Sequence, residues 1–388
     1  MVRDITQQIK YIGVDDRDLD LFESQYRTPH GMTYNSYVIM DEKVAVVDTT
    51  DIRTAEEWRS NLHEVLGGRD ADYLIVQHME PDHAALVVDV LTEFPNLQVV
   101  CSAKALKMLC NFFEGFDFPA RTITVKEGDE LDLGNRKLSF RNAMMVHWPE
   151  VIVTYDTADK VLFSADAFGK FGVYDSEGGW EDEARRYYFN ICGKYGPQVR
   201  RLLTAVSALD IEYICSAHGP VLKGNLEKYI SLYDTWSSYE AEDDGVLVAY
   251  ASIHGGTRKV AETLADMMKA KGAREVVVAD LSRCDQSWAL SEAFRLSRCV
   301  LAAASYDASV FPPMYDFLHH LRLKSWQNRR VGIIENGSWA PSAAKVMRMM
   351  LDDMKEIEIV DPQVTIWSRM KKHDIDALEE LADAVLGE

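Results

Sequence analysis

Before residue 241 the chain alternates short apolar runs with turn residues: YNSYVIM (34–40), KVAVVDT (43–49), DYLIVQ (72–77), LQVVC (97–101), RKLSFRNAM (136–144), VIVTYD (151–156), KVLFSAD (160–166) and IEYICSAH (211–218). Each run has the length of a strand, and several are joined by hairpin-like punctuation, such as Gly134-Asn135 and Asp156-Thr157-Ala158-Asp159. Two longer stretches, AALVVDVLTEF (84–94) and AKALKMLCNFFEGF (103–116), place their apolar residues at the helical period instead. Many strands with a few helices between them predict sheets covered by helices, an α+β sandwich.

From 246 onward the rhythm changes. Strand patterns now alternate with helical ones: VLVAYAS then TRKVAETLADMMKAKG, EVVVAD, CVLAAAS then PMYDFLHHLR, RVGIIEN then SAAKVMRMMLDDM, and QVTIWS then DIDALEELADAVL. Such alternation predicts a doubly wound parallel sheet, whose ligands belong at the carboxyl ends of its strands. Between the two patterns lies the acidic stretch YEAEDDG, read as a linker at 241–245 joining a domain over 1–242 to a second over 246–388.

Composition supports real cores: 47% of the 388 residues are hydrophobic and 27% charged. Forty-two basic against 62 acidic residues give a net charge of −20, which argues against nucleic-acid and anionic-membrane partners, since both attract basic surfaces. No apolar run approaches a membrane span and the first residues lack a signal-peptide core, so a cytoplasmic location is expected. The six cysteines form no CxxC pair and are expected to be small core residues.

Chemistry concentrates where strands end. QHMEPDHAAL (77–86) puts His78, Glu80, Asp82 and His83 directly after one strand pattern; His147, Asp166 and His218 follow three others. Taken singly, each has a plain structural reading: Asp82 as a helix N-cap, His147 as a satisfied histidine, Asp166 as a turn residue, His218 as loop. Four strands that each hand over a metal-competent side chain favour a common site. Seven candidate ligands exceed one ion's needs and point to two, with Asp166 as the natural bridge. Imidazoles and carboxylates without thiolate suit iron or manganese as well as zinc.

In the second part, the loop Ser252-Ile253-His254-Gly255-Gly256-Thr257 opens a helix after the first strand, an arrangement suited to phosphate, though it is neither GxGxxG nor GxxxxGK[ST]. Two further strand-end loops, SYDASVFPP (305–313) and ENGSWAPS (335–342), carry Tyr306 and Trp339, whose faces suit a flat ring or simple packing against neighbouring loops.

The order His-x-Glu-x-Asp-His, then His147, Asp166 and His218, resembles the metallo-β-lactamase superfamily, an αββα sandwich. Glutamate at 80, where zinc hydrolases of that superfamily usually carry histidine, resembles the flavodiiron proteins. TYNSYVI (33–39), HWPE (147–150) and RRYYFNI (185–191) agree, although the family more often has aspartate at position 150. The resemblance implies one iron held by His78, Glu80 and His147, a second by Asp82, His83 and His218, and Asp166 between them. The second part resembles flavodoxin, a doubly wound five-stranded parallel domain. That implies FMN on 252–257, on Ser305, Tyr306 and Asp307, and on Asn336, Gly337, Ser338 and Trp339; Glu335-Asn336 and Pro341 depart from the usual third loop.

The implied chemistry is reduction of dioxygen to water or of nitric oxide to nitrous oxide, with FMN relaying electrons. Tyr26, His30, Trp148 and Tyr188 are candidates to line the iron pocket. The resemblance further implies a head-to-tail homodimer or a dimer of dimers, and a separate donor, a rubredoxin or a reduced deazaflavin, which Arg258 and Lys259 are placed to steer. The competing reading is a dinuclear zinc hydrolase, and an electron carrier built on the second part alone leaves the seven ligands without a role.

Overall fold

A computed structural model describes residues 2–387, and its contacts divide them into two units. One consists of residues up to Tyr188 together with Pro197–Asp234, the other of Phe189–Gly196 and the chain from Thr235 onward.

The first unit contains two stacked sheets. One orders its strands Arg3–Asp4, Ile9–Tyr11, Tyr37–Ile39, Ala45–Val47, Tyr73–Val76, Gln98–Ser102 and Thr122–Val125; the other runs Glu130–Asp132, Lys137–Asn142, Ile152–Asp156, Val161–Phe163, Tyr213–Cys215 and Leu222–Lys223. Side chains of a strand point alternately to its two faces. Accordingly Tyr37, Ile39, Ala45, Val47, Tyr73 and Ile75 of the first sheet meet Leu138, Phe140, Ile152, Val161 and Phe163 of the second in one core. Their sequence neighbours Val38, Val46, Leu74 and Val76 turn the other way, onto Trp58 and Leu62 of helix Ala55–Leu66, Val87, Val90 and Leu91 of helix Val87–Glu93, and Leu109 of helix Ala103–Phe112. Trp58 is fully buried, and truncating such a side chain to alanine costs roughly 3–5 kcal/mol. Val153, Leu162 and Ile214 on the far face of the second sheet are buried as well, so both sheets are covered on both sides. This is the expected αββα sandwich.

The second unit orders its strands Val276–Asp280, Asp243–Ala251, Leu296–Tyr306 and Arg329–Asn336, all parallel, with the last position shared by the short strands Ile357–Ile359 and Val364–Ile366. Its core packs Val246, Val248, Val300 and Ile334 against helices Gly256–Ala270 and Asp374–Leu386. This is the expected doubly wound sheet, its fifth place split in two.

Several local expectations fail. Strand Asp243–Ala251 begins inside the stretch read as a linker, because its acids are neutralised: Arg295 lies 2.7 Å from Asp243, Arg298 pairs with Asp244, and Trp236 donates to Glu242 at 2.7 Å. Helix Gln286–Arg295 was not expected between two strand patterns. The helical pattern 84–94 splits into Pro81–Ala84 and Val87–Glu93. Cys101, Cys192, Cys215 and Cys299 are buried as expected, whereas Cys284 is half-buried and Cys110 lies on an exposed position of its helix.

Candidate functional site

All seven expected metal ligands converge at one end of the sandwich. His78 stands two residues beyond strand Tyr73–Val76, Asp166 and His218 each three beyond Val161–Phe163 and Tyr213–Cys215, and His147 in the loop after Lys137–Asn142. Glu80, Asp82 and His83 belong to the single turn Pro81–Ala84 and its N-terminal residue. The Glu80 side chain does not cap that turn, and Asp82 is not its cap either but its second residue. Both carboxylates are thereby left for other work.

The side chains form two groups, His78, Glu80, His147 and Asp166 in one and Asp82, His83 and His218 in the other. In the first, Glu80 Oε2 lies 3.2 Å from His78 Nε2 and 3.0 Å from His147 Nε2, and Asp166 Oδ2 is 3.3 Å from both imidazoles. In the second, Asp82 Oδ2 lies 3.3 Å from His83 Nε2 and 3.4 Å from His218 Nε2. Asp166 Oδ1 faces this second group, 3.4 Å from His83 Nε2 and 3.6 Å from His218 Nε2. One carboxylate thus turns one oxygen to each group.

These spacings fit metal ions. Donor atoms bound to a common ion at about 2.1 Å, at angles between square and tetrahedral, stand roughly 3.0–3.4 Å apart. Hydrogen bonding does not account for the cluster: among the described residues, both oxygens of Asp82 and of Asp166 and both ring nitrogens of His83 are buried without a hydrogen-bond partner. Buried polar atoms are rarely left so in folded proteins, and a cation shared between them is one of the few satisfactory explanations.

Neighbouring backbone and side chains hold the imidazoles in place. His78 Nδ1 donates to Glu150 Oε1 at 2.8 Å, and the same oxygen accepts the Met79 backbone N–H at 2.9 Å. His218 Nδ1 donates to the Thr33 carbonyl at 2.6 Å, and Thr49 anchors the His83 carbonyl through its N–H and its hydroxyl, at 2.7 and 2.8 Å. Such partners fix the ring tautomer so that Nε2 faces inward. Glu150 was singled out in the sequence only as a departure; its place behind His78 was visible in no local pattern.

Charge in the cluster is strongly coupled. Burial alone would lower the histidine pKa values, yet neighbouring carboxylates outweigh it at His83 and His147, both pushed up to about 9, and at His78, held well above its usual range. His218 goes the other way, down to about 3, through burial and the nearby His83. Asp166 is held well below the usual carboxylate range: burial is overcome by His78, His147 and His83. Burial raises Asp82 to about 7 against the pull of His83. Three ligand carboxylates packed this closely are a setting that divalent cations stabilise.

A cleft of about 300 Å³ reaches Glu80 and Asp82 and is otherwise lined by Leu19, Leu21, Phe22, Glu23, Ser24, Tyr34, Asp51, Arg53 and Pro81. None of the four expected pocket residues lines this cleft, although Trp148 stays beside the cluster. Trp148 packs edge-on against His78, ring centroids 5.2 Å apart, while Tyr26 packs on Phe171, Tyr188 is buried beside Tyr233 and His30 is exposed. Phe22 and Tyr34, which do line the cleft, flank His218 at 5.4 and 6.1 Å. Arg53 Nη2 donates to the Tyr34 hydroxyl at 2.7 Å.

In the second unit a cleft of about 630 Å³ opens at the strand carboxyl ends. Strand order reverses between Asp243–Ala251 and Leu296–Tyr306, the switch point at which open α/β sheets bind ligands. Ser252, Ile253, His254, Gly256, Thr257, Ser305, Tyr306, Asp307, Asn336, Gly337, Ser338 and Trp339 all line it. Gly255 does not, but its left-handed φ of 84° turns the chain into the helix, and its N–H donates to Ser252 Oγ at 3.1 Å. Ser305 Oγ accepts the N–H groups of Ser342 and Ala343, at 2.8 and 3.2 Å, and so satisfies the start of helix Ala343–Asp352. Ser368 and Arg369, beyond strand Val364–Ile366, also line the cleft and were missed, since nothing in WSR announces a ligand loop. Arg258 is ion-paired with Glu262 at 2.7 Å on the exposed face of its helix.

A family profile described as "ODP family beta lactamase" matches residues 32–219. An uncharacterized protein of Methanocaldococcus jannaschii is 31% identical over 83% of this chain and 82% of its own length. The anaerobic nitric oxide reductase flavorubredoxin of Escherichia coli is 27% identical over 90% of this chain and 75% of its own. Among solved structures, rubredoxin:oxygen oxidoreductase from Desulfovibrio gigas superposes with a TM-score of 0.93 at 24% identity, covering 100% of this chain and 98% of that one. The flavodiiron protein from Giardia intestinalis gives 0.93 at 25% identity, covering 100% and 97%.

Proposed function

The chain belongs to the flavodiiron family, and we propose that it is an oxidoreductase that reduces dioxygen to water, nitric oxide to nitrous oxide, or both. Its cofactors are two non-haem irons in the first unit and FMN in the second. His78, Glu80 and His147 would hold one iron and Asp82, His83 and His218 the other, with Asp166 offering one oxygen to each group. The observation that carries this reading is the Asp166 carboxylate, with one oxygen turned to each ligand group and Glu80 completing the first.

When bound, the irons and FMN supply the electron storage and transfer that protein side chains cannot. The chain's residues do the rest. Glu150 and the Thr33 carbonyl hold His78 and His218 in the tautomer that points Nε2 at the irons. Leu19, Phe22 and Pro81 give the cleft to Glu80 and Asp82 an apolar wall, which suits small uncharged molecules. Both reactions consume protons, four per dioxygen and two per pair of nitric oxide molecules. Tyr34, whose hydroxyl accepts from Arg53, keeps its own proton because burial and nearby acids raise its pKa, so it offers the cleft a hydrogen-bond donor that stays neutral while the protons come from solvent.

In the second unit the amides and hydroxyls of 252–257 would bind the FMN phosphate, and Tyr306 and Trp339 would cover the ring. Electrons come from a separate donor, a rubredoxin or a reduced deazaflavin. We place the protein in the cytoplasm, as a head-to-tail homodimer or a dimer of dimers; no helix among the described residues is long and apolar enough to cross a membrane. A zinc hydrolase would leave the cleft of the second unit without a role.

The test is metal and flavin content joined to anaerobic turnover with reduced rubredoxin, offering dioxygen and nitric oxide separately. Two irons and one FMN per chain with turnover is the expected result, and the two rates rank the substrates. Zinc without flavin or reductase activity would overturn the reading.

A further inference from the structure

The cleft of the second unit is poor in positive charge. Its wall carries hydroxyls, backbone groups, the aromatics Tyr306 and Trp339, one carboxylate, Asp307, and a single guanidinium, that of Arg369. A phosphate monoester brings roughly one and a half to two negative charges near neutral pH. The phosphate loop 252–257 offers only neutral donors and His254. The two cations in the first turn of its helix are on the next residues, Arg258 and Lys259, and Arg258 is committed to Glu262 at 2.7 Å.

Arg369 comes from a loop that the sequence did not mark, yet this loop lies against the phosphate helix. A Cβ added to Gly256, the first residue of that helix, would stand 2.7 Å from the Ser368 carbonyl. Only glycine tolerates so close an approach at that position. Asn336 Nδ2 donates to the same carbonyl at 3.2 Å, and Ser368 Oγ donates to Ser338 Oγ at 2.9 Å. The loop of Arg369 is thereby tied to the phosphate helix and to the third ligand loop. Arg369 is exposed, and among the described residues no acidic side chain forms an ion pair with it.

We propose that Arg369 is a fourth-loop anchor for the phosphate of the bound flavin nucleotide, supplying the cationic contact that the loop 252–257 lacks. The inference rests on FMN being the ligand of this cleft. A guanidinium is well suited to such a phosphate because its planar N–H groups can meet two oxygens at once. The role is one of positioning and affinity, and the flavin ring is not its target.

Riboflavin, which has the ring and ribityl chain of FMN but no phosphate, separates the alternatives. The full-length protein is stripped of flavin and titrated with FMN and with riboflavin, following flavin fluorescence, for wild type, Arg369→Gln and Arg369→Lys. The expected result is a loss of FMN affinity of about tenfold in Arg369→Gln, the scale of one charge-assisted hydrogen bond at a partly exposed site, with riboflavin affinity unchanged. Arg369→Lys keeps part of the preference for FMN, and raising the salt concentration narrows the gap between wild type and Arg369→Gln. Equal losses for both flavins would place Arg369 on the ring and overturn the proposal, as would unchanged affinity for both. Wild-type protein that takes up neither flavin would overturn the FMN reading itself, and this inference with it.

Discussion

In the first unit His78, His83, Asp166 and His218 are all but sealed from solvent, and the Nε2 of each imidazole of the candidate metal cluster faces a carboxylate at 3.0–3.6 Å. In the second, Trp339 at the rim of the cleft is 86% exposed and Tyr306 46%, and the lining comes from four strand-end loops. One site is made of particular side chains held by a rigid cage; the other is made by the path of the chain. A metal ion requires given atoms at given distances, so its site tolerates almost no substitution. A flat, singly phosphorylated ligand needs a cradle and a surface to cover, which several sequences can provide.

The sharpest break of that contrast is Asp166→Asn. An amide cannot place an anionic oxygen on each ligand group, so turnover should fall by more than about 100-fold, beyond the roughly 10- to 100-fold that loss of an outer partner costs. Iron content should drop while FMN per chain stays at the wild-type value; loss of both together would mean that the two sites are not independent. Glu150→Gln tests the outer cage. It keeps the shape and the acceptor for His78 Nδ1 and Met79 N but removes the charge, and iron affinity, read by competition with a chelator, should fall about tenfold, near the low end of that range.

Trp339→Ala addresses the other site and should weaken FMN binding about tenfold with iron unchanged, in keeping with the roughly 1–3 kcal/mol of aromatic stacking on a flat heterocycle. A Trp339→Ala protein that binds FMN as tightly as wild type would remove the tryptophan from the ring's surface. The smallest effect is expected from reversing Arg258 and Lys259 together. Arg258 is already offset by Glu262, so the donor KM should rise only about two- to threefold at low salt and not at all at high salt.

Legibility followed the same division. That the candidate ligands would cluster was readable because His78, His147, Asp166 and His218 each close an apolar run, a pattern that survives in one dimension. The loop 252–257, which lines the cleft of the second unit, was readable from its position between a strand and a helix. Helix Gln286–Arg295 was not read, although Asp285 caps it by accepting the Ser287 N–H at 2.8 Å and Ala289, Leu290, Ala293 and Phe294 form its apolar stripe. Apart from Trp288 its remaining positions are polar, yet Ser291 and Glu292 are buried, Glu292 beside Arg295 at 2.6 Å. Arg295 itself reaches Asp243 and Glu275, both at 2.7 Å, which is also why the acidic stretch became strand where a linker was expected. The residues around the iron cleft were misjudged for a related reason: aromatic type suggested Tyr26, His30 and Tyr188, whereas the turn that carries Phe22 and the salt-bridged Arg53 were what the fold brought there.

By itself the amino-acid sequence determined the two-part architecture, through short apolar runs bounded by turn residues followed by strand–helix alternation, and the chemical types of the candidate metal ligands with their order along the chain. Only the tertiary structure decided which ligand faces which: the two oxygens of Asp166 are divided between groups that originate at four separate strand ends. It also decided that Glu150 stands behind His78, 72 positions away, that Thr33 stands behind His218, 185 positions away, and that Arg369 lines the cleft opened by residue 252. Spacing along a chain encodes periodicity and local caps, because those depend on neighbouring backbone geometry. Contacts between distant segments depend on how whole sheets and helices pack, and no local pattern carries that information.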